Sequence, residues 1–233
     1  MQALQLKRHG HNVTVLEQDT ASDRDSHEAG VAFEANMDEF LKRYDATGLA
    51  MSLPSEIVRV AYGRRWPHVR DLKIQRRLSS WGFLYRILRA NLDGFASEAC
   101  RRPPAKREGD GEARYLSGKR VEGLKCQGET VTVLFVDVGS GKEEAIDADL
   151  VIGADGVHST FRQVVAAPMV ADKSYAGYVA WRGTVKESLL SKETVEYFAD
   201  KVVFQVMRRT YMVVSVTRRC ESGTLQLTLL PAT

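Results

Sequence analysis

The sequence is poor in the residues that mark specialised protein classes. Its 233 residues hold three cysteines, at 100, 126 and 220, far apart and in no C-x-x-C pair. That usage argues against a disulfide framework or a zinc site and leads us to expect a reducing, cytoplasmic compartment. The five histidines show no ligand spacing. His9 and His11 flank a glycine and read as surface residues, so no metal is expected. No apolar run approaches the ~20 residues of a membrane span. The opening MQALQLKRHGHN lacks the apolar stretch of a signal peptide, and we expect no membrane partner. Charge of one sign is scarce as well. A net charge of +3, without interleaved aromatic and basic residues, argues against nucleic acid. What is present, 44% hydrophobic and 27% charged residues, is ordinary globular composition, enough for one large domain or two small ones.

The chain opens as helix, turn, strand. QALQLKRH carries Ala3, Leu4 and Leu6, ends in basic residues, and meets Gly10 where a helix C′ residue belongs. Val13, Val15 and Leu16 then mark a short strand ending at Glu17. The helix starts at Met1 with no capping residue before it, and reads as the second half of a longer one. Residues 18–36 are polar and read as a loop. MDEFLKRYDATG predicts a helix with Phe40, Leu41 and Tyr44 on one face, ended by Gly48. LSSWGFLYRILRANL is the best helix in the chain. Ser79 or Ser80 can cap it, Leu84, Ile87, Leu88 and Leu92 form its stripe, and Arg86 and Arg89 are expected on a solvated face. RRPPAKREGDGEAR reads as a flexible loop or an insertion remnant. Three strands are expected next, in RYLSGKRVEGLKCQ, ETVTVLFVDV and IDADLVIGAD, then a helix from about Ser159. The tail reads as strands: SYAGYVAWRGTV, TVEYFAD, VVFQVM and YMVVSV. No internal repeat is visible.

Two acidic residues stand out against this background. In DLVIGADGVHSTFR an apolar run ends in Gly-Ala-Asp-Gly. The run suits a strand in a covered parallel sheet, and Asp155 would project from its carboxyl end, where open α/β sheets bind ligands. Gly153 and Gly156 would remove side chains where a backbone or ligand approaches closely. A carboxylate there can accept hydrogen bonds from sugar or polyol hydroxyls. Glu17 ends the other apolar strand, and the order helix, glycine, strand, glutamate closes a dinucleotide-binding unit. The matching G-x-G-x-x-G loop would lie before Met1.

Together these segments resemble the FAD-dependent monooxygenases of the single-component aromatic hydroxylase type. LKRHGHNVTVLEQD resembles the second half of that family's first βαβ unit. DLVIGADGVHSTFR resembles its Asp-Gly motif, with Asp155, Gly156, Ser159 and Arg162 at matching steps. GYVAWRG and SSWGFLYRILRANLDG resemble the branch related to dihydroxypyridine hydroxylase, most familiar from fungal genomes. The resemblance spans nearly all of residues 1–205. It implies an α/β fold: a partial Rossmann-like FAD-binding domain over 1–170, then a mixed or antiparallel β-rich substrate domain over 171–233. It implies FAD as cofactor, NADPH or NADH as co-substrate, and a small aromatic or other electron-rich substrate hydroxylated with O₂.

By the same resemblance Glu17 would bind the adenosine ribose and Gly30, in EAGV, would sit by the flavin. Asp155 and Gly156 would meet the ribityl or pyrophosphate region, and Arg162 would brace the motif or the nicotinamide approach. No catalytic base is assigned. Tyr175, Tyr178 and Arg182 fall in the expected substrate-facing strands and read as sheet packing. The chain departs from the family pattern in four places. The Gly-rich loop and the later Gly-Asp motif are missing, SSW stands where relatives carry an arginine, and Glu28 replaces a basic residue. After YMVVSV the sequence no longer resembles the family, as if a frameshift, intron or early stop intervened. The chain is therefore expected to be an internal fragment, colourless alone and yellow once both flanks are restored. Two other readings compete: a non-catalytic remnant of such an enzyme, and a plain NAD-binding Rossmann protein, to which the Asp-Gly motif does not belong.

Overall fold

The computed structural model describes residues 1–21, 29–33, 35–62, 68–156, 159–165, 181–198, 201–207, 210–218 and 223–231. The opening matches the sequence reading. Helix α1 spans Gln2–Arg8, and Gly10 turns the chain with φ +86°. Strand β1 spans Val13–Glu17. It pairs in parallel with β5, Ala113–Ser117, as a two-stranded sheet in which Glu17 lies beside Ser117. Helix α2, Ala35–Tyr44, and helix α3, Trp81–Asp93, pack with α1 against this sheet. Leu4, Tyr44 and Leu92 meet Val15, Leu88 and Tyr115 there. Each aliphatic side chain so buried contributes about 1.5–3 kcal/mol.

Helix α3 has the cap and stop that its sequence announces. Ser80 accepts a hydrogen bond from the Phe83 N–H at 3.1 Å, and Gly94 ends the helix with φ +74°. Its arginines correct our expectation of a solvated face, for Arg86 and Arg89 are both buried. Arg89 clasps Asp93 through both carboxylate oxygens, at 2.8–3.1 Å. Its guanidinium lies 3.7 Å from the centre of the Tyr115 ring and 4.6 Å from that of Phe95. Aromatic faces and a paired carboxylate replace water around the charge, which is what lets arginine enter an interior. The first helix also ends in buried charge. Lys7 donates to the carbonyls of Asn91 and Leu92, both at 2.8 Å, and Arg8 pairs with Asp110. Burial pushes the Lys7 ammonium below its usual range, reinforced by Arg8 and opposed by Asp110.

The segment 101–112, expected as a flexible insertion, is tied down instead. Arg107 donates to the Asp45 carbonyl, the Arg107 N–H to Asp110, and the Gly111 N–H to the Lys7 carbonyl. A Cβ on Gly111 would stand 2.0 Å from the His11 carbonyl oxygen, so this contact admits only glycine.

Four further departures concern strands. Residues 30–33, assigned to a loop, form β2, Gly30–Phe33. The stretch 49–78, which carried no sequence assignment, holds β3, Leu53–Tyr62, and the start of β4, His68–Ser80. RYLSGKRVEGLKCQ divides at Gly118, φ +71°, into β5 and β6, Lys119–Gln127. The described part of TVEYFAD, residues 194–198, is helical and belongs to α5, Lys192–Phe198. There the Ser191 hydroxyl accepts from the Thr194 N–H, and a local cap outweighs the β propensity of Thr, Val and Tyr.

Strands β6, β7 (Thr130–Asp137) and β8 (Glu143–Ala148) form a three-stranded antiparallel sheet. Among the described residues the large sheet has seven strands, ordered β2-β4-β3-β10-β11-β12-β9. Its later members are β9 (Trp181–Lys186), β10 (Lys201–Met207), β11 (Thr210–Arg218) and β12 (Gly223–Pro231). β10 joins β3 in parallel while its neighbours run antiparallel, so the tail is not a purely antiparallel unit. The sheet takes strands from both sides of residue 170. The ending that read as foreign is β12, held between β11 and β9. Residues 175–180, with Tyr175 and Tyr178, lie outside the described residues, as does Glu28. Arg182 sits on β9 beside Thr228.

Candidate functional site

The Asp-Gly loop follows β8 and leads into helix α4, Thr160–Val165. The run Leu150–Ala154, expected as a strand of the first sheet, is irregular here. The described part of that sheet holds β1 and β5 alone, and the run pairs with neither. Leu150 is 66% and Ile152 43% exposed, far from the two-sided cover that the run's composition suggested.

From Asp155 onward the geometry is ordered by hydrogen bonds. The buried Ser159 hydroxyl donates to Asp155 Oδ1, and the Phe161 N–H donates to Oδ2 at 3.0 Å. Ser159 Oγ in turn accepts from the Arg162 N–H at 2.9 Å, and the Arg162 guanidinium reaches the Gly156 carbonyl at 3.2 Å. So all four motif residues lock one another at the start of α4. Burial alone would raise the Asp155 carboxyl. The Ser159 hydroxyl and the backbone N–H groups of Phe161 and Thr160 outweigh it and hold the group below the usual carboxylate range. Gly156 turns with φ +73° and has open space on its Cβ side, leaving its backbone approachable. Gly153 serves a different purpose from the one expected. A Cβ there would stand 2.4 Å from the Phe161 ring, so the glycine makes room for a side chain of α4, the helix that follows.

Glu17 lies at the carboxyl end of β1, half-buried, where its Oε1 accepts the Asp19 N–H at 3.0 Å. Gly30 begins β2 opposite Ser80, the α3 cap, and the neighbouring Ala29 carbonyl accepts the Trp81 N–H at 2.7 Å. Asp155, Gly156 and Arg162 thus share one loop, while Glu17 and Gly30 sit on two other elements. Among the described residues no hydrogen bond joins Glu17, Gly30 and Asp155 to one another. An open groove of about 320 Å³ runs between α1 and the 150–155 segment, lined by Gln2, Gln5, Leu6, His9, His11 and Ile152. Sequence reasoning missed this groove, although Gln2, Gln5, Leu6 and His9 stand at the i, i+3, i+4 and i+7 steps of one helix face; that face is mostly polar and reads as solvated. Among the described residues no cluster of three or more His, Cys, Asp or Glu side chains could hold a metal, and no helix is long and apolar enough to cross a membrane.

Glu17 and Asp155 are carboxylates, able to accept hydrogen bonds from hydroxyl groups beyond the internal ones they already take, and the open space beside Gly156 admits close approach to its backbone.

Comparison with known proteins follows the same line. Residues 175–226 match a family described as FAD binding domain-like, a match that runs into β12. Over 103 residues the chain is 33% identical to 2,6-dihydroxypyridine 3-monooxygenase of Paenarthrobacter nicotinovorans, covering 44% of this chain and 24% of that protein. The solved 2,6-dihydroxypyridine-3-hydroxylase from Arthrobacter nicotinovorans superposes with a TM-score of 0.75 at 22% identity, over 98% of this chain and 52% of the other. A salicylate hydroxylase substrate complex gives 0.61 at 17% identity, over 97% and 57%. CtdE in complex with FAD gives 0.63 at 12%, over 99% and 56%. The chain therefore spans about half the length of these solved neighbours. Over that 103-residue stretch it is similar in sequence to 2,6-dihydroxypyridine 3-monooxygenase, and its mixed, strand-rich α/β fold matches the folds of the solved dihydroxypyridine and salicylate hydroxylases.

Proposed function

We propose that this chain carries the nucleotide-facing part of an FAD-dependent monooxygenase that hydroxylates a small aromatic or other electron-rich molecule with NADPH or NADH and O₂. The observation that carries this reading is that sequence and fold point to the same enzyme, the dihydroxypyridine hydroxylase. Residues 1–170 hold the FAD side and residues 171–233 the substrate side, a division by role across a shared sheet. The protein works in the cytoplasm.

In this reading Glu17 accepts the adenosine ribose hydroxyls through its carboxylate at the end of β1. Gly30 lets the chain pass close to the ring system at the start of β2. Asp155, kept ionised by Ser159 and the first turn of α4, accepts from ribityl hydroxyls, and Gly156 offers backbone at the pyrophosphate. Arg162 holds the Gly156 carbonyl so that the loop keeps its shape. FAD, when bound, supplies the redox chemistry that takes electrons from the nicotinamide and activates O₂, and the protein supplies position and a site shielded from water.

The test is flavin binding by the polypeptide encoded in the full reading frame around this sequence. Wild-type protein should carry the flavin absorption band. Glu17→Gln removes a charged acceptor worth about 1.5–3 kcal/mol, and should weaken FAD binding about 10- to 100-fold in a fluorescence titration. Unchanged binding in Glu17→Gln would remove Glu17 from the site. A polypeptide that never acquires flavin would remove the enzyme reading and favour a non-catalytic remnant.

A further inference from the structure

We propose that the basic outer edge of β4 docks along the acidic outer edge of β8 in a second copy of this chain. This surface lies outside the nucleotide site and goes beyond the function proposed above. β4 is a long strand with little cover. From His68 to Arg77 every residue is exposed except the half-buried Leu72. β2 pairs with β4 only at Arg77–Ser80, so among the described residues the outer edge of 68–76 has no strand beside it. Such an edge offers a row of backbone N–H and C=O groups to another strand.

Charge selects the occupant. Between 68 and 77 stand Arg70, Lys73, Arg76 and Arg77, against one acid, Asp71. Asp71 is already taken by Arg59, through two hydrogen bonds of 2.7 Å. The exposed Val69 and Ile74 lie between these cations and add apolar contact. A second β4 would meet this strip with like charge and be repelled. β8 is its complement. It is the outer strand of the three-stranded sheet, with Glu143, Ala145 and Asp147 exposed. Glu143, Glu144, Asp147 and Asp149 follow one another without an intervening cation. Of these, Glu144 is held by Lys119 at 2.9 Å, and Glu143 and Asp149 face outward. Arg77 is set aside by its pairing with β2 and Asp38, so three cations on the free stretch, Arg70, Lys73 and Arg76, answer the exposed acids Glu143, Asp147 and Asp149 along the other edge. Because the two edges differ, the contact is heterologous, and it builds rings or open chains rather than closed twofold dimers.

The experiment is sedimentation of the full chain at rising protein concentration in low salt. Wild type should exceed the monomer mass, and the excess should vanish at about 0.5 M salt, where charge is screened within a few ångström. Two variants are then made: Arg70→Glu with Lys73→Glu and Arg76→Glu, and Glu143→Lys with Asp147→Lys. Each should stay monomeric alone, since each now carries two edges of one sign. Mixed together they should associate, because each retains the edge that the other needs. If a charge reversal prevents folding, as read by circular dichroism, Arg70→Gln with Lys73→Gln replaces it and should weaken self-association at least tenfold. A wild-type chain that remains monomeric overturns the proposal. So do variants that associate like wild type, or a mixture that does not associate. A monomeric wild type that binds a polyglutamate peptide on this edge would assign the strip to an acidic partner instead, and would equally overturn it.

Discussion

Asp155 shows how a single residue can be read correctly for type and incompletely for purpose. The sequence marks it as a carboxylate held between glycines. The structure adds that its two oxygens are occupied by Ser159 and the Phe161 N–H before any ligand arrives. Because its folded pKa is lowered, its ionised form supports the loop above the ordinary value of 3.8, and that support is lost as pH falls through the lower folded value. Ser159→Ala should therefore shift the Asp155 titration upward, toward 3.8, in a carboxyl-resolved NMR experiment. An unmoved titration would mean that the backbone donors alone hold the charge. Gly153 carries a second residue-scale expectation. Gly153→Ala forces its new methyl against Phe161 and should cost about 1–3 kcal/mol in denaturant unfolding. Adding Phe161→Ala should recover part of that loss, a coupling that only direct contact explains. No pattern in the sequence distinguishes a glycine that admits a ligand from one that admits a ring eight residues on.

Among the elements, those with both a start and a stop signal were legible. α3 has Ser80 and Gly94, and α1 with β1 has Gly10 between apolar stripes. Elements whose identity depends on neighbours were not. Leu150–Ala154 has the composition of a strand but no strand beside it among the described residues. The α5 helix escaped for a local reason, since its strand-like composition is outweighed by the Ser191 cap. The buried charges escaped notice for a related reason, since a basic helix end is ordinarily solvated and only the fold brings Asp110 to it. Arg8 and Asp110 keep 5% and 2% of their side-chain surface. Removing one partner of such a pair leaves a buried charge, so Asp110→Ala should lower stability by about 3–5 kcal/mol. Gly111→Ala, which sets a methyl against backbone rather than a yielding side chain, should cost about 3 kcal/mol. Equilibrium unfolding in urea measures both, and a loss under 1 kcal/mol in either would mean that the 107–111 segment can move away from α1.

At the scale of the whole molecule, the resemblance to aromatic hydroxylases was legible from two short motifs, and the fold agrees with it. The shared sheet was not legible, because nothing in residues 53–62 announces a partner in residues 201–207. That pairing makes a physical prediction. Val203 is fully buried on β10, beside Arg59 of β3, so Val203→Ala should cost about 2 kcal/mol. The loss should appear as one transition shared by far-ultraviolet circular dichroism and by tryptophan fluorescence, to which Trp81 at the start of α3 contributes. Two separate transitions would show that residues before and after 170 unfold independently. The parallel register of β3 with β10 also bears on how the chain is made. Ile57 pairs with Lys201, so on the ribosome β3 waits about 140 residues for its neighbour, with β4 its only companion in the meantime. At ~5–20 residues per second that interval lasts roughly 7–30 s, during which a hairpin rich in arginine stands outside any finished sheet. Arg70, Lys73 and Arg76 on its exposed edge set like charge against like wherever two such hairpins meet, which disfavours strand pairing between them.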